Sequence, residues 1–208
     1  MTDQNTSWNR LFSHRRQELR FGEALIVVEN GVFTPDPGMT YSASMIIENL
    51  PSLEKLRVAD IGTGSGVLAV VATLKGAEEV VATDISDIAV KNALSNASLN
   101  GVTKRMKVLK SDLFEGVEGK FDVICANLPI LDELWEQKGI HVESTIELFL
   151  KKAKLFLNSG GKIYLPWASF GDKPYLESLL KKLAYNFQLL AVEKLGYAWY
   201  LYILTYPE

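Results

Sequence analysis

From Leu56 onward the chain alternates short apolar, β-branched runs with longer stretches of helical period, and no other feature restricts its possible folds so tightly. Strands are expected at Arg57 to Ile61, Val80 to Ile85, Met106 to Lys110, Phe121 to Ala126 and Lys162 to Trp167. Helices are expected at Gly66 to Lys75, Asp87 to Asn100, Ser144 to Leu157 and Lys173 to Tyr185. Strands separated by helical crossovers form a parallel sheet with helices on both faces. Two further apolar and aromatic runs, Gln188 to Leu195 and Ala198 to Leu204, are joined only by Gly196-Tyr197, which is hairpin spacing and hence antiparallel. The expected fold class is therefore α/β, a Rossmann-like doubly wound sheet, mainly parallel, ending in an antiparallel β-hairpin.

Ahead of this core, Ser7 to Arg20 places Trp8, Leu11, Phe12 and Leu19 among charged residues, which reads as a short amphipathic helix. Arg10, Arg15, Arg16 and Arg20 cluster there, as a solvated helix face or as a contact for an acidic or nucleic partner. Ala24 to Val28, Asn30-Gly31 and Val32-Phe33 read as a hairpin turning at Asn-Gly, followed by a Pro-rich loop at residues 34–38.

A chain of 208 residues, 48% hydrophobic, suffices for one buried core but not for two ordinary domains. The net charge of −3 gives no global attraction to phosphate backbones. The single cysteine, Cys125, sits in an apolar run, so neither an internal disulfide nor a multi-cysteine metal site can form, and no metal is expected. No apolar run reaches the roughly 18 residues of a membrane span, and the polar start lacks the apolar stretch of a signal peptide, so a cytoplasmic protein without membrane contact is expected.

The segment Val58 to Gly66 is a strand running into a glycine-rich turn that opens a helix. Gly62, Gly64 and Gly66 permit a tight turn and close backbone approach. No Lys-Ser or Lys-Thr follows, which argues against a nucleotide-hydrolysing loop. Asp60, just ahead of the glycines, would repel a pyrophosphate and suits an ammonium group. Asp84 ends the second strand and Ser111-Asp112-Leu113 follows the third. Ligands of open α/β sheets bind outside the carboxyl ends of the strands, so these acids converge on one crevice and imply a cationic, hydroxyl-rich ligand.

On these motifs the chain, from about Val32 to Leu204, resembles the class I S-adenosylmethionine-dependent methyltransferases. The resemblance implies their seven-stranded fold, with residues 1–40 as an N-terminal helix and hairpin appendage and 41–208 as the cofactor-binding domain. It implies S-adenosylmethionine as cofactor, with Asp60, Gly62, Thr63, Gly64 and Gly66 around its methionine part and Asp84 on the ribose hydroxyls. Ile85 would pack on the adenine, and Ser111, Asp112 and Leu113 would lie at the adenine edge. Phe33, Thr34 and Pro35 either close over the cofactor or simply join the hairpin to the core.

The fourth strand ends in Asn127-Leu128-Pro129-Ile130. This resembles the Asn-Pro-Pro-aromatic signature of enzymes that methylate a planar nitrogen: the glutamine amide of release factors, or an exocyclic amine of a nucleic-acid base. Residues 31–37 also resemble the segment preceding the core in the release-factor glutamine methyltransferases. Such a nitrogen has a delocalised lone pair and needs its hydrogens held by fixed acceptors, a task for the Asn127 side chain and the Leu128 carbonyl. Leu128 replaces the first proline and Ile130 the aromatic, so the acceptor motif is degenerate. Asn127, Leu128, Pro129 and Ile130 are the candidate catalytic residues, Asn127 also touching the cofactor, and the acceptor is a protein glutamine, an RNA base or a small molecule. A small-molecule methyltransferase and a silent cofactor-binding protein remain alternatives. Trp135, His141 and Glu143 lie in the stretch that commonly shapes the acceptor pocket in this fold, His141 reading as a surface loop histidine rather than a base.

Overall fold

The computed structural model describes residues 15–131, 135 and 139–207. Among them the chain opens with β1 (Gln17–Phe21) and β2 (Ala24–Val28), followed by helix α1 (Ser42–Asn49). The alternating core follows as β3 (Arg57–Ile61), α2 (Val67–Leu74), β4 (Glu79–Asp84), α3 (Asp87–Leu99), β5 (Met106–Lys110) and β6 (Phe121–Cys125). It continues with α4 (Val142–Ala153), β7 (Leu157–Ala168), α5 (Lys173–Lys182), β8 (Asn186–Lys194) and β9 (Tyr197–Thr205).

Seven strands form one sheet in the order β5-β4-β3-β6-β7-β9-β8. The first five are mutually parallel and β9 runs antiparallel to both β7 and β8, as the alternation and the terminal hairpin spacing imply. β3 is the hinge of the order. The chain steps outward from it through β4 to β5, then returns to its other side with β6. Where strand order reverses, crossovers leave in opposite directions and a crevice opens at the carboxyl ends.

The two sheet faces bury different helices. On one, the apolar residues Val67 to Ala72 of α2 and the alanines Ala93 and Ala97 of α3 pack with Met45 and Ile46 of α1. On the other, Ile146, Phe149 and Leu150 of α4 join Leu176, Leu179 and Leu180 of α5, with Phe114 stacked 5.8 Å from Phe149 and 4.7 Å from Phe156. Asp172 caps α5, its carboxylate accepting from the Tyr175 amide at 2.8 Å.

The N-terminal region differs from the expectation. Residues 7–14 of the expected helix lie outside the described residues, and Gln17–Phe21, at its supposed end, are a strand. The hairpin turns at Gly22-Glu23, with Phe21 opposite Ala24, not at Asn30-Gly31. Exposure alternates from Gln17 to Phe21 with the period of a strand, and Gly22, at φ +60°, supplies the turn geometry. Ala24, Ile26 and Val28 are fully buried in the same cluster as α2 and α3. Helix α1 lies at residues where no element was expected; Thr40 and Ser42 before an apolar run are its only sequence mark.

The turn between β3 and α2 is locked by close packing. Gly66 has φ +82°, and a Cβ there would lie 3.0 Å from the Ala93 Cα of α3. Gly66→Ala should destabilise the fold by about 1–3 kcal/mol, combining left-handed strain with a backbone clash. Urea unfolding checks this, and an unchanged midpoint would mean that α3 does not seat on the turn as closely as described.

Candidate functional site

At the carboxyl edge of β3, β4, β5 and β6 a cleft of about 720 Å³ opens. Its floor is the turn after β3. Gly62 and Thr63 donate their amides to the Thr83 carbonyl at 2.9 and 2.8 Å, which ties the turn to the end of β4. Gly64, at φ +56°, has open space where a Cβ would stand, so the backbone is presented bare to the cleft. Gly62 also lines the cleft, and its missing Cβ makes room for the Leu128 side chain, which would sit only 2.9 Å from it.

Asp84 stands at the rim on β4. One carboxylate oxygen accepts from the Gly64 amide and the other from the Ser86 amide, each at 2.9 Å. Burial raises its pKa, and the backbone donors of Ser86, Gly64 and Ile85 pull it back down. Each oxygen retains a further lone pair for a ligand. Ile85 is 55% exposed beside it, an apolar face awaiting contact.

The next wall is the loop after β5. The Thr83 hydroxyl donates to the Leu113 carbonyl at 2.9 Å, and the Ser111 hydroxyl donates to the carbonyls of Leu113 and Glu115 at 3.1 and 2.7 Å. These bonds hold Leu113 at φ +55°, a conformation unusual for a branched residue. Ser111, Asp112 and Leu113 all line the cleft, Asp112 exposed and Leu113 buried.

Opposite, Asn127, Leu128, Pro129 and Ile130 leave β6 and also line the cleft. Ile130 is held close by Gly171: a Cβ at 171 would lie 2.5 Å from the Ile130 methyl and 2.8 Å from the Trp167 ring. Phe33 and Pro35 form the lip from the N-terminal side.

Three candidate residues do not line the cleft. Gly66 serves the seat of α3. Thr34 is fully buried behind the lip, its hydroxyl unpartnered. Asp60 is 1% exposed behind the turn, where one oxygen accepts from the Thr63 hydroxyl at 2.6 Å and from the Ala69 amide at 3.1 Å, the other having no hydrogen-bond partner among the described residues. Burial pushes its pKa up to about 7, against the lowering effect of those two donors. A carboxyl read as facing an ammonium group is thus placed to brace the turn from behind.

The cleft extends past the expected residues. Trp135 and His141 line it, but Glu143 does not. Thr40 and Ser42, whose hydroxyls lie 3.2 Å apart, and Phe170 and Trp199, packed edge to face at 5.6 Å, also contribute. Phe170 and Trp199 lie far along the chain from the motifs, and only the fold brings them to the site. Among the described lining residues there is no lysine or arginine, while Asp84 and Asp112 are both acidic. No metal-binding cluster occurs among the described residues, and none of their helices is long and apolar enough to cross a membrane.

Comparison with known proteins agrees with this architecture. The family of ribosomal protein L11 methyltransferases (PrmA) matches residues 38–150. The L11 methyltransferase of Caldicellulosiruptor bescii is 35% identical over 170 residues, 77% of this chain and 50% of that protein. The protein described as a putative protein N5-glutamine methyltransferase of Methanocaldococcus jannaschii is 30% identical over 71% of this chain and 79% of its own length. Among solved structures, the ribosomal protein L11 methylase of Lactobacillus delbrueckii subsp. bulgaricus superposes with a TM-score of 0.68 at 27% identity, covering 87% of this chain and 84% of that one. The T. thermophilus 16S rRNA N2 G1207 methyltransferase, in complex with AdoMet and guanosine, shares the fold with a TM-score of 0.68 at 24% identity, over 91% of this chain and 50% of that one. The chain spans about half the length of most curated relatives it matches. On the match to residues 38–150 and these identities, the chain belongs to the ribosomal protein L11 methyltransferase (PrmA) family of class I methyltransferases.

Proposed function

We propose that the protein is an S-adenosylmethionine-dependent methyltransferase acting on a planar amide or exocyclic amine nitrogen of a protein or an RNA. The observation that carries the reading is the cleft at the reversal of strand order. Its described walls offer two carboxylates, bare glycine backbone and no cationic side chain, a donor set that suits a cationic, hydroxyl-rich ligand and disfavours a pyrophosphate. Family membership and the relative described as a putative glutamine methyltransferase support it.

The residues present fit the cofactor. Asp84 has lone pairs left for ribose hydroxyls, and Ile85 offers an apolar face for the adenine, with Asp112 at the ring edge. Gly62, Thr63 and Gly64 would hold the methionine part, the first turn of α2 at Val67 and Leu68 presenting its positive end to a carboxylate. When bound, this group supplies an electrophilic methyl carried on a sulfonium.

The chain's own contribution on the acceptor side is positioning. The Asn127 side-chain oxygen and the Leu128 carbonyl would accept the two N–H groups of the acceptor, freeing its lone pair from conjugation and stabilising the charge that develops on nitrogen. Leu128 gives up the rigidity of a proline but gains anchorage, since its side chain is buried against Gly62. Ile130, wedged by Gly171, covers the acceptor group in place of an aromatic ring. Phe170 and Trp199 extend the apolar wall beyond it.

Titration calorimetry with S-adenosylmethionine and S-adenosylhomocysteine should give dissociation constants in roughly the micromolar range, about −8 kcal/mol; no binding of either overturns the proposal. Asp84→Ala should weaken both by about 1.5–3 kcal/mol through loss of charge-assisted hydrogen bonds, and an unchanged affinity removes the ribose assignment. Asn127→Ala should leave cofactor affinity nearly intact while lowering methyl transfer on the order of 100-fold. Survival of the rate would eliminate the acceptor arrangement.

A pH dependence follows from Asp60. Its carboxyl stays protonated up to about pH 7 in the ligand-free protein, and a cation bound at the turn favours the ionised form. Cofactor binding should therefore tighten as pH rises from about 5.5 to about 8 and should release protons, whereas Asp60→Asn should flatten the profile. Calorimetry in buffers of different ionisation enthalpy counts the protons; equal slopes in the two proteins would exclude Asp60 as the linked group.

A further inference from the structure

The buried face of α3 carries a ladder of asparagines that the chemistry of methyl transfer does not use. Asn92, Asn96 and Asn100 are spaced four apart and so share one side of the helix. Each meets the backbone of β2 on the edge away from β1. The Glu29, Val27 and Leu25 amides donate to the side-chain oxygens of Asn92, Asn96 and Asn100 at 3.0, 2.9 and 2.9 Å. In return Asn92 and Asn96 donate to the Val27 carbonyl at 2.8 and 2.7 Å, and Asn100 donates to the Leu25 carbonyl at 2.8 Å. The helix thus pairs with the strand as a neighbouring strand would.

Asn100 also donates back to the Asn96 carbonyl within the helix at 2.8 Å, whereas the further bond of Asn96 leaves the helix for the glycine turn. Asn96 is fully buried, and its amide nitrogen also donates to the Ser65 carbonyl at 2.8 Å. Ser65 belongs to the glycine turn and lines the cleft. One side chain therefore grips both the floor of the cleft and the strand whose continuation, through Val32, Phe33 and Pro35, forms the lip. The contact between Gly66 and Ala93 fixes the helix beside it.

We infer that Asn96 is a positioning residue that couples the cofactor turn to the N-terminal hairpin, so that lip and floor are ordered together when ligand binds. The inference rests on the cofactor reading of the cleft. Removing Asn96 leaves the Ser65 carbonyl and the Val27 amide to find other partners, the Val27 carbonyl keeping only Asn92, so the turn loses its reference to the hairpin. Removing Asn100 costs the hairpin comparable bonds without touching the turn.

The test compares S-adenosylhomocysteine affinity of the whole chain with that of Asn96→Ala and Asn100→Ala, alongside their melting temperatures. Asn96→Ala should raise Kd by about tenfold or more and Asn100→Ala by less than about twofold, although both lower the melting temperature. Equal changes in Kd, or none in Asn96→Ala, overturn the coupling. Absence of binding by the unaltered chain instead overturns the cofactor reading, and the coupling with it.

Amide hydrogen exchange of the unaltered chain gives a second readout that needs no variant. Saturating S-adenosylhomocysteine should slow the Val27 amide, which donates to Asn96, by about tenfold more than the amides of β8. Equal slowing of both would assign the ladder a merely structural role and overturn the inference.

Discussion

The whole arrangement depends on β3 being hydrogen-bonded in parallel to β4 on one side and to β6 on the other. Asp60 on β3 lies opposite Ala82 of β4 and Cys125 of β6, so the three strands reach their carboxyl ends in step. That registry puts the glycine turn, Asp84 and Asn127 around one opening although they are separated by long stretches of chain. Parallel pairing requires crossover helices, and α2 and α3, which supply them, also build the wall behind the turn. The same constraint explains the two hydrophobic clusters, since a parallel sheet must be covered on both faces.

Placing a site there has an electrostatic cost, concentrated on Asp60. The carboxyl sits in the core beside Cys125, whose own thiol is pushed up by burial and by that neighbouring charge. Only one of its oxygens has a hydrogen-bond partner among the described residues. An acid buried here carries a desolvation cost that the Thr63 and Ala69 bonds offset in part while they hold the turn in shape. Leu113 at φ +55°, pinned by Thr83 and Ser111, is a strained backbone position in the cleft wall itself.

Most of the sheet was legible in the sequence because β-branched runs and helical periods alternate cleanly from Leu56 onward, and strand ends bounded by Gly62, Asp84 and Ser111 located the cleft. The N-terminal region was not. Leu19, at helical spacing from Leu11 and Phe12, suits a helix stripe as well as a strand edge, and Asn30-Gly31 is a strong turn signal, yet the strand beyond it is replaced by asparagine side chains of a distant helix. No local pattern announces that substitution, because Asn92, Asn96 and Asn100 look like solvent-facing residues until β2 is laid against them. Phe170 and Trp199 escaped for a related reason: aromatic residues in and after strands are ordinarily core, and only the sheet order brings them to the rim. Asp60 was legible as special but not in its orientation, which depends on the Thr63 hydroxyl reaching back to it.

Gly171 has a consequence for how such a protein diverges. It stands against Trp167 and against Ile130, which lines the cleft. Any larger side chain there must displace Ile130 or Trp167, so volume at one loop position trades against the space that the proposed function gives to the acceptor group. The two halves of the cleft are in this sense separable under mutation. On the proposed reading, substitutions at residues 130 and 171 change the room for the acceptor, while Gly62, Gly64 and Asp84, proposed to hold the cofactor, line another part of the cleft.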